Sequence, residues 1–281
     1  MKTTLKNALR ATTLAASLLA PAVWAATPAD TLVIARDISA FLSLDPQEAF
    51  EIASGDSLNN LYLRLVQHDP LDFSKIIPGA AQSWESAPDG KKIVFTIRQG
   101  LKFQSGNPLT AEDAAFSLQR GILLDKQSAI ILRQFGWTKD NVKERVRAEG
   151  DKLVLSFEQP YATDLILSAL SAAIASVVDK KLVLENERNN DLGNGWLRTR
   201  SAGAGAYKLV EWKAKDAVVM EAFAGYQGGT APKLKRVIVR HVSEAAAQRL
   251  LLEKGDVDVA ADLNPDQVQA IGDKPHLKVV E

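Results

Sequence analysis

The sequence predicts a mixed α/β fold. Three observations carry that prediction. Residues 92–98 and 153–157 alternate apolar and polar side chains with a period of two, as half-buried strands do. Residues 57–66 and 111–122 repeat apolar side chains at spacings of three and four, as amphipathic helices do. Both patterns recur along the chain with helix-capping and turn residues between them, which places strands and helices in one layered architecture.

In chain order, the apolar run 31–35 (TLVIA) reads as a buried strand. A loop follows over 36–51 with Phe41, the Asp45-Pro46 turn and Phe50. A helix is predicted over 57–66 from Leu58, Leu61, Tyr62 and Leu65. Pro88-Asp89-Gly90 is a turn, because proline presets φ and glycine accepts positive φ. The strand at 92–98 buries Ile93, Phe95 and Ile97. Thr110 caps the next helix, Glu112 and Asp113 favour its positive end, and Ala111, Ala115, Leu118 and Ile122 share one face. Leu153, Leu155 and Phe157 mark a further strand. Residues 164–178 are nearly uncharged and read as a buried helix. Residues 206–212 and 217–223 form two paired strands, and 236–242 is a β-branched run. Ser243 is the expected cap of a helix that runs to Lys254 with Ala247, Leu250, Leu251 and Lys254 on one face, and Gly255 ends it. A short strand at 257–260 precedes a helix opened by Asn264-Pro265 and stopped by Gly272. The last strand is predicted over 277–280. Trp84, Trp137 and Trp212 are read as structural.

The charges are balanced, 34 basic against 34 acidic in 281 residues, but unevenly placed. Lys2, Lys6 and Arg10 precede the apolar stretch 11–20, Pro21 breaks it, and Val23 and Ala25 are compact residues at the positions a signal peptidase reads. Residues 1–25 are therefore expected to be a secretory signal peptide. The stretch is too short for a membrane anchor, which needs about 18 or more apolar residues. Removing the leader leaves 31 basic and 34 acidic residues, a slight acidic excess. That balance excludes a general nucleic-acid binder. With no cysteine there is no disulfide, thiolate metal site or cysteine nucleophile. Export is then expected to lead to a bacterial envelope.

Catalytic motifs are missing. His68, His241 and His276 stand apart, with no metal-ligand spacing. There is no Gly-x-Ser-x-Gly elbow and no Gly-Lys-Ser/Thr phosphate loop. Gly203-Ala204-Gly205 begins like a dinucleotide fingerprint, but the third glycine is absent and a strand follows where a helix should. No cofactor and no enzymatic activity are expected. A secreted hydrolase and a chaperone-like envelope module that binds peptides broadly are the competing readings.

Several segments then fall in a recognisable order. Ser43-Leu44-Asp45-Pro46 follows the first strand, and Leu61-Tyr62-Leu63-Arg64-Leu65-Val66 comes next. Pro78-Gly79-Ala80-Ala81-Gln82-Ser83-Trp84-Glu85 is followed by Pro88-Asp89-Gly90-Lys91. Phe95-Thr96-Ile97-Arg98-Gln99-Gly100-Leu101-Lys102-Phe103 leads to Leu109-Thr110-Ala111-Glu112-Asp113-Ala114. Later come Gly203-Ala204-Gly205-Ala206-Tyr207-Lys208-Leu209, Gly225-Tyr226-Gln227-Gly228-Gly229 and residues 252–259. Together they resemble the extracellular solute-binding proteins of family 5, the dipeptide, oligopeptide and nickel-type receptors of ABC importers. Ala206 departs from the family's usual proline and Gln227 from its usual tryptophan.

The resemblance implies a class II, cluster C periplasmic binding-protein fold of two lobes with an inserted subdomain. It assigns residues 26–45 and 200–281 to the first lobe and 46–199 to the insertion. Because such receptors are commonly about twice as long, the chain is expected to be an N-terminal fragment that lacks most of the second lobe and binds solute poorly alone. The implied function is capture of a peptide or similar solute between two lobes that close by a hinge, followed by delivery to a permease. The protein would be periplasmic and monomeric, and would meet the membrane only through the permease. In peptide-binding members the loop after the first strand offers backbone groups to an extended ligand. Here that loop supplies Ser39, Ala40, Phe41 and Leu42, with Phe50 as a further wall. A second candidate, the glycine-flanked segment 195–203, supplies Trp196 as a platform, Arg198 as a carboxylate grip and Ser201. The solute itself stays open among peptides, opines, glutathione, oligosaccharides and chelated nickel, with nickel weakened by the lack of a histidine cluster.

Overall fold

The computed structural model describes residues 27–272 and 274–280, so the leader assigned to 1–25 lies outside it. The chain opens with strand β1 (Thr31–Arg36), a long loop and helix α1 (Gly55–Leu61). Strands β2 (Leu63–Arg64), β3 (Val66–Asp69), β4 (Asp72–Pro78), β5 (Ala81–Ser86) and β6 (Lys92–Ile97) follow. Helices α2 (Ala111–Leu124), α3 (Ile130–Arg133) and α4 (Val142–Arg145) lead to β7 (Val146–Glu149) and β8 (Lys152–Ser156). Next come α5 (Thr163–Leu170), β9 (Ser176–Val177), α6 (Lys180–Glu185) and α7 (Asn194–Leu197). The chain continues with β10 (Tyr207–Lys213), β11 (Ala217–Ala222), β12 (Arg236–His241), α8 (Ala245–Lys254), β13 (Val259–Ala260) and α9 (Pro265–Ile271).

Two larger sheets organise these elements. One has the order β10-β11-β12-β1-β13. Its β1 runs parallel to β12 and β13, with Ile34 opposite Val239 on one side and Val259 on the other, while β10, β11 and β12 are antiparallel. The other sheet is antiparallel, in the order β5-β6-β8-β7. Each sheet has its own apolar core. The first core contains Phe95, Leu118, Trp137 and Leu155 and draws almost wholly on residues 63–177. The second contains Ile38, Phe41, Leu61, Leu197, Val218 and Val239, from residues 38–62 and 178–239. The cores therefore part between Tyr62 and Leu63 and between Val177 and Val178.

Local signals set the best-defined elements. Thr110 and Asp113 form a reciprocal capping box, which satisfies two backbone donors at the start of α2. Ala111, Ala115, Leu118 and Ile122 are all buried. Gly90, at φ 67°, closes the β5–β6 turn. Gly255, at φ 78°, ends α8, and Asn264 caps α9 through the Gln267 N–H at 3.0 Å. Among the described residues no helix is long and apolar enough to cross a membrane.

Four expectations fail. The helix predicted over 57–66 stops at Leu61, because the Leu61 carbonyl is taken by Gly205 N–H at 3.0 Å and Gln104 Nε2 at 2.9 Å and is not free to continue the helix. Leu63 and Leu65 are buried, but in a strand and at the bend that follows it. The segment 164–178 is buried as expected, yet its helix ends at Leu170. A short 3-10 turn follows, and Ser176–Val177 pairs with β2. Ser243 does not cap α8: Glu244 holds the cap position without a side-chain bond. The buried residue of α8 is Gln248, which bonds Val242 O at 2.7 Å, while Leu250 is exposed. Residues 277–280 form no strand and instead line a cleft beside β13.

Candidate ligand-binding site

The loop after β1 is built around a buried charge. Asp45 and Arg120 are each fully buried, and the guanidinium meets both carboxylate oxygens at 2.7 and 2.6 Å. Arg120 also donates to Gln47 Oε1 at 2.7 Å and Leu192 O at 2.8 Å. Gln47 in turn holds the carbonyls of Ile174 and Ser176 at 2.9 and 3.0 Å. These bonds pair a charge that would be costly to bury alone. Tyr62 adds an O–H bond to Leu44 O at 3.0 Å. Its burial raises the phenol above its ordinary pKa, and the nearby Asp45 charge adds to the effect.

This anchor presents the outer half of the loop. Glu51 accepts the N–H groups of Leu42 at 3.2 Å and Phe50 at 2.9 Å, and so ties the two ends of the exposed stretch together. Leu42 is 66% exposed and Phe50 47%. Ser39 and Ala40 are exposed as well. Phe41 is different. It is buried and stacks on Trp212 with ring centroids 4.9 Å apart, so its ring belongs to the second core and does not form a wall. Beside Phe50 lies a groove of about 190 Å³ lined by Glu51, Ser54, Leu58, Ser128 and Ile131.

The second candidate segment meets the first through Glu48. Arg198 Nε lies 3.4 Å from Glu48 Oε2, and Asn194 Nδ2 donates to Asp45 at 2.7 Å and Glu48 at 3.2 Å. Leu44 N–H donates to Arg198 O at 3.1 Å. Arg198 is thus engaged by a protein carboxylate. Trp196 is half-buried in a separate cleft of about 430 Å³. Ser201, partly buried, lines a third cleft of about 630 Å³ with Arg200, Lys208 and Trp212. Gly203 and Gly205 serve packing: a Cβ on either would run into the backbone of α1. That close approach, rather than phosphate binding, explains the glycine pair.

Sequence reasoning missed Arg120, Glu48 and Asn194. For Arg120 a signal existed. Asp113, Ser117 and Arg120 recur at spacings of four and three, a polar stripe on α2, and the structure buries all three. Among the described residues no cluster of histidine and acidic side chains could hold a metal ion. His241 instead accepts the Ile38 N–H at 3.2 Å.

The comparisons with known proteins agree with this architecture. The family profile for bacterial extracellular solute-binding proteins, family 5 (middle), matches residues 75–281, and the chain belongs to that family. The probable D,D-dipeptide-binding periplasmic protein DdpA of Escherichia coli is 30% identical over 264 residues, covering 93% of this chain and 49% of that protein. The dipeptide-binding protein DppE of Bacillus subtilis is 28% identical, covering 78% of this chain and 40% of that protein. Among solved structures, OppA of Haemophilus influenzae in complex with the peptide RPPGFSPFR superposes with a TM-score of 0.72. It is 23% identical, and the match covers 88% of this chain and 48% of that one. DppA of Helicobacter pylori with the peptide STSA gives 0.71 at 22% identity, covering 87% and 49%. The fold is thus that of the class II periplasmic binding proteins, and the chain spans about half the length of the relatives it matches. Those relatives are binding proteins.

Proposed function

We propose that the protein is the substrate-binding component of a periplasmic ABC importer and captures a peptide or similar small solute for delivery to a permease. In this reading the sheet containing β1 forms the first lobe and the sheet containing β6 its inserted subdomain. A second lobe closes over the solute. One observation carries the reading: two exposed apolar side chains, Leu42 and Phe50, are held on a loop whose base is a fully buried ion pair. A rigid base under an exposed apolar rim is what solute capture requires, because little ordering is left to be lost on binding. The exposed stretch Ser39–Ala40 gives an extended ligand a place to lie along the loop for strand-like pairing. The named ligands of DdpA, DppE and the peptide complexes favour a short peptide. Residues 1–25 act as the export leader, and the receptor works as a monomer.

The test is a two-dimensional NMR titration with di- to pentapeptides, glutathione and a nickel–histidine complex at millimolar concentration, where weak binding is visible. A peptide should shift amide signals of residues 39–52, and Phe50→Ser should remove most of the shift. A panel in which no solute moves those signals would sink the reading.

A further inference from the structure

The loop between α6 and α7 has an unusual backbone. Asn189, Asn190 and Leu192 adopt φ of 55, 58 and 51°, and Gly193 follows at 71°. A leucine in this left-handed region persists only where its surroundings over-determine it. They do so here. The Asp191 carboxylate accepts the N–H groups of Arg188 at 3.0 Å and of Gly193 and Gly195 at 2.9 Å. Glu187 accepts the Leu192 N–H at 3.0 Å, and the buried Arg120 holds the Leu192 carbonyl at 2.8 Å. Gly195 packs closely here: a Cβ would stand 3.0 Å from Asp191 Oδ2 and would press on that carboxylate.

This strained loop forms one wall of the cleft of about 430 Å³, whose lining includes Arg188, Asp191, Trp196, Thr199 and Arg200. Its electrostatics are one-sided. The one carboxylate in the lining, Asp191, spends its oxygens on backbone N–H groups. Burial pushes its pKa up, but those hydrogen bonds more than offset this and hold it below the ordinary value. Among the described residues the guanidinium groups of Arg188 and Arg200 make no ion pair within 4.0 Å, and that of Arg200 donates only to its neighbour Thr199. Arg198, between them in sequence, is already engaged by Glu48. Two uncommitted guanidiniums therefore share a cleft with a half-buried indole.

We propose that this cleft binds a small planar carboxylate, with the ligand's plane on Trp196 and its carboxylate held by Arg188 and Arg200. Guanidinium groups match a carboxylate's two oxygens, and an indole face accepts a flat apolar body. The volume suits a small ligand. The site goes beyond solute capture at the 39–50 loop and does not rest on it, since the two cavities share no lining residue.

Isothermal titration of the intact chain with benzoate, benzamide and inorganic phosphate tests the proposal. Benzoate should bind saturably, and neutral benzamide at least about tenfold more weakly. Arg188→Gln and Arg200→Gln should each weaken benzoate about fivefold or more, and Trp196→Ala likewise. Both arginines are exposed, so these variants should melt with the parent. Phe50→Ser should leave benzoate binding unchanged, which separates this site from the loop. Benzamide binding as tightly as benzoate, phosphate matching benzoate, or arginine variants that bind as the parent does would each overturn it.

Discussion

Replacing Arg120 with methionine should cost far more stability than any surface charge. The guanidinium is fully buried and makes four short hydrogen bonds: two to Asp45, one to Gln47 and one to Leu192 O. Methionine fills much of the volume but leaves the Asp45 carboxylate buried with Asn194 Nδ2 at 2.7 Å and Gln47 N–H at 3.0 Å as its remaining donors. Breaking one partner of a buried pair costs roughly 3–5 kcal/mol. For a chain of this size that is a fall in Tm of about 10 °C. Asp45→Asn should cost a similar amount, because it strands the guanidinium. The double variant Arg120→Met/Asp45→Asn removes both charges, so it should lose less than the two single losses combined by about 2 kcal/mol. Urea unfolding followed by far-UV circular dichroism, with unchanged m, measures all three. Single losses below about 1 kcal/mol, or strict additivity, would refute the view that this pair holds the loop. Lys213→Ala, which cuts an exposed pair with Asp216, is the control and should leave stability unchanged.

Two more perturbations probe the same region. Gly205→Ala drives a Cβ into the Asn60 carbonyl and to 2.5 Å from the Leu61 carbonyl carbon, and should cost about 1–3 kcal/mol in thermal melts. Gly55 has helical φ and open space for 4 Å around the place a Cβ would take, so it should accept alanine with a gain of about 0.4–1 kcal/mol. The raised pKa of Tyr62 gives a signed pH dependence. The folded state keeps this phenol protonated, so its contribution is intact below pH about 10 and is lost as pH rises above that value, by at most about 1.4 kcal/mol per unit. Tyr62→Phe should flatten the alkaline limb of the stability curve, and an unchanged limb would show that the phenol does not titrate in the unfolding reaction.

The features legible in the sequence are those decided locally. The Thr110 cap, the Pro88-Asp89-Gly90 turn and the Asn264-Pro265 start each depend on side chains within four residues, and each stands where predicted. The errors arise where a distant group decides. Leu58, Leu61, Tyr62 and Leu65 fit a helix, but Gly205 and Gln104 capture the carbonyl the helix needs for its next turn. Phe41 in an exposed-looking loop could have faced either way, and Trp212, 171 positions later, turns it inward. The segment 195–203 carries two arginines, and the sequence favoured Arg198 as the carboxylate grip; Glu48 pairs with Arg198, while Arg200 lines the cleft with Arg188, outside the segment. Which of several arginines is free is a pairing question, and a single sequence carries little information about pairing at this distance.

The same distance explains why two candidate segments so far apart in sequence act on one structural unit. The carboxylates of Asp45 and Glu48, three residues apart on the first segment, receive Arg120 from α2, Asn194 from α7 and Arg198 beyond it. Arg120 also grips the left-handed Leu192 of the strained loop. The loop with Leu42 and Phe50 and the loop beside Trp196 are therefore both braced by the same buried guanidinium. A group that neutralises Asp45 without holding Leu192 would steady only the first. Arg120→Lys, with one ammonium in place of a fork, is such a group. It should therefore loosen the 188–195 loop more than the 39–50 loop. Amide hydrogen exchange can separate the two, and equal loosening of both would show that the brace is not shared in this way.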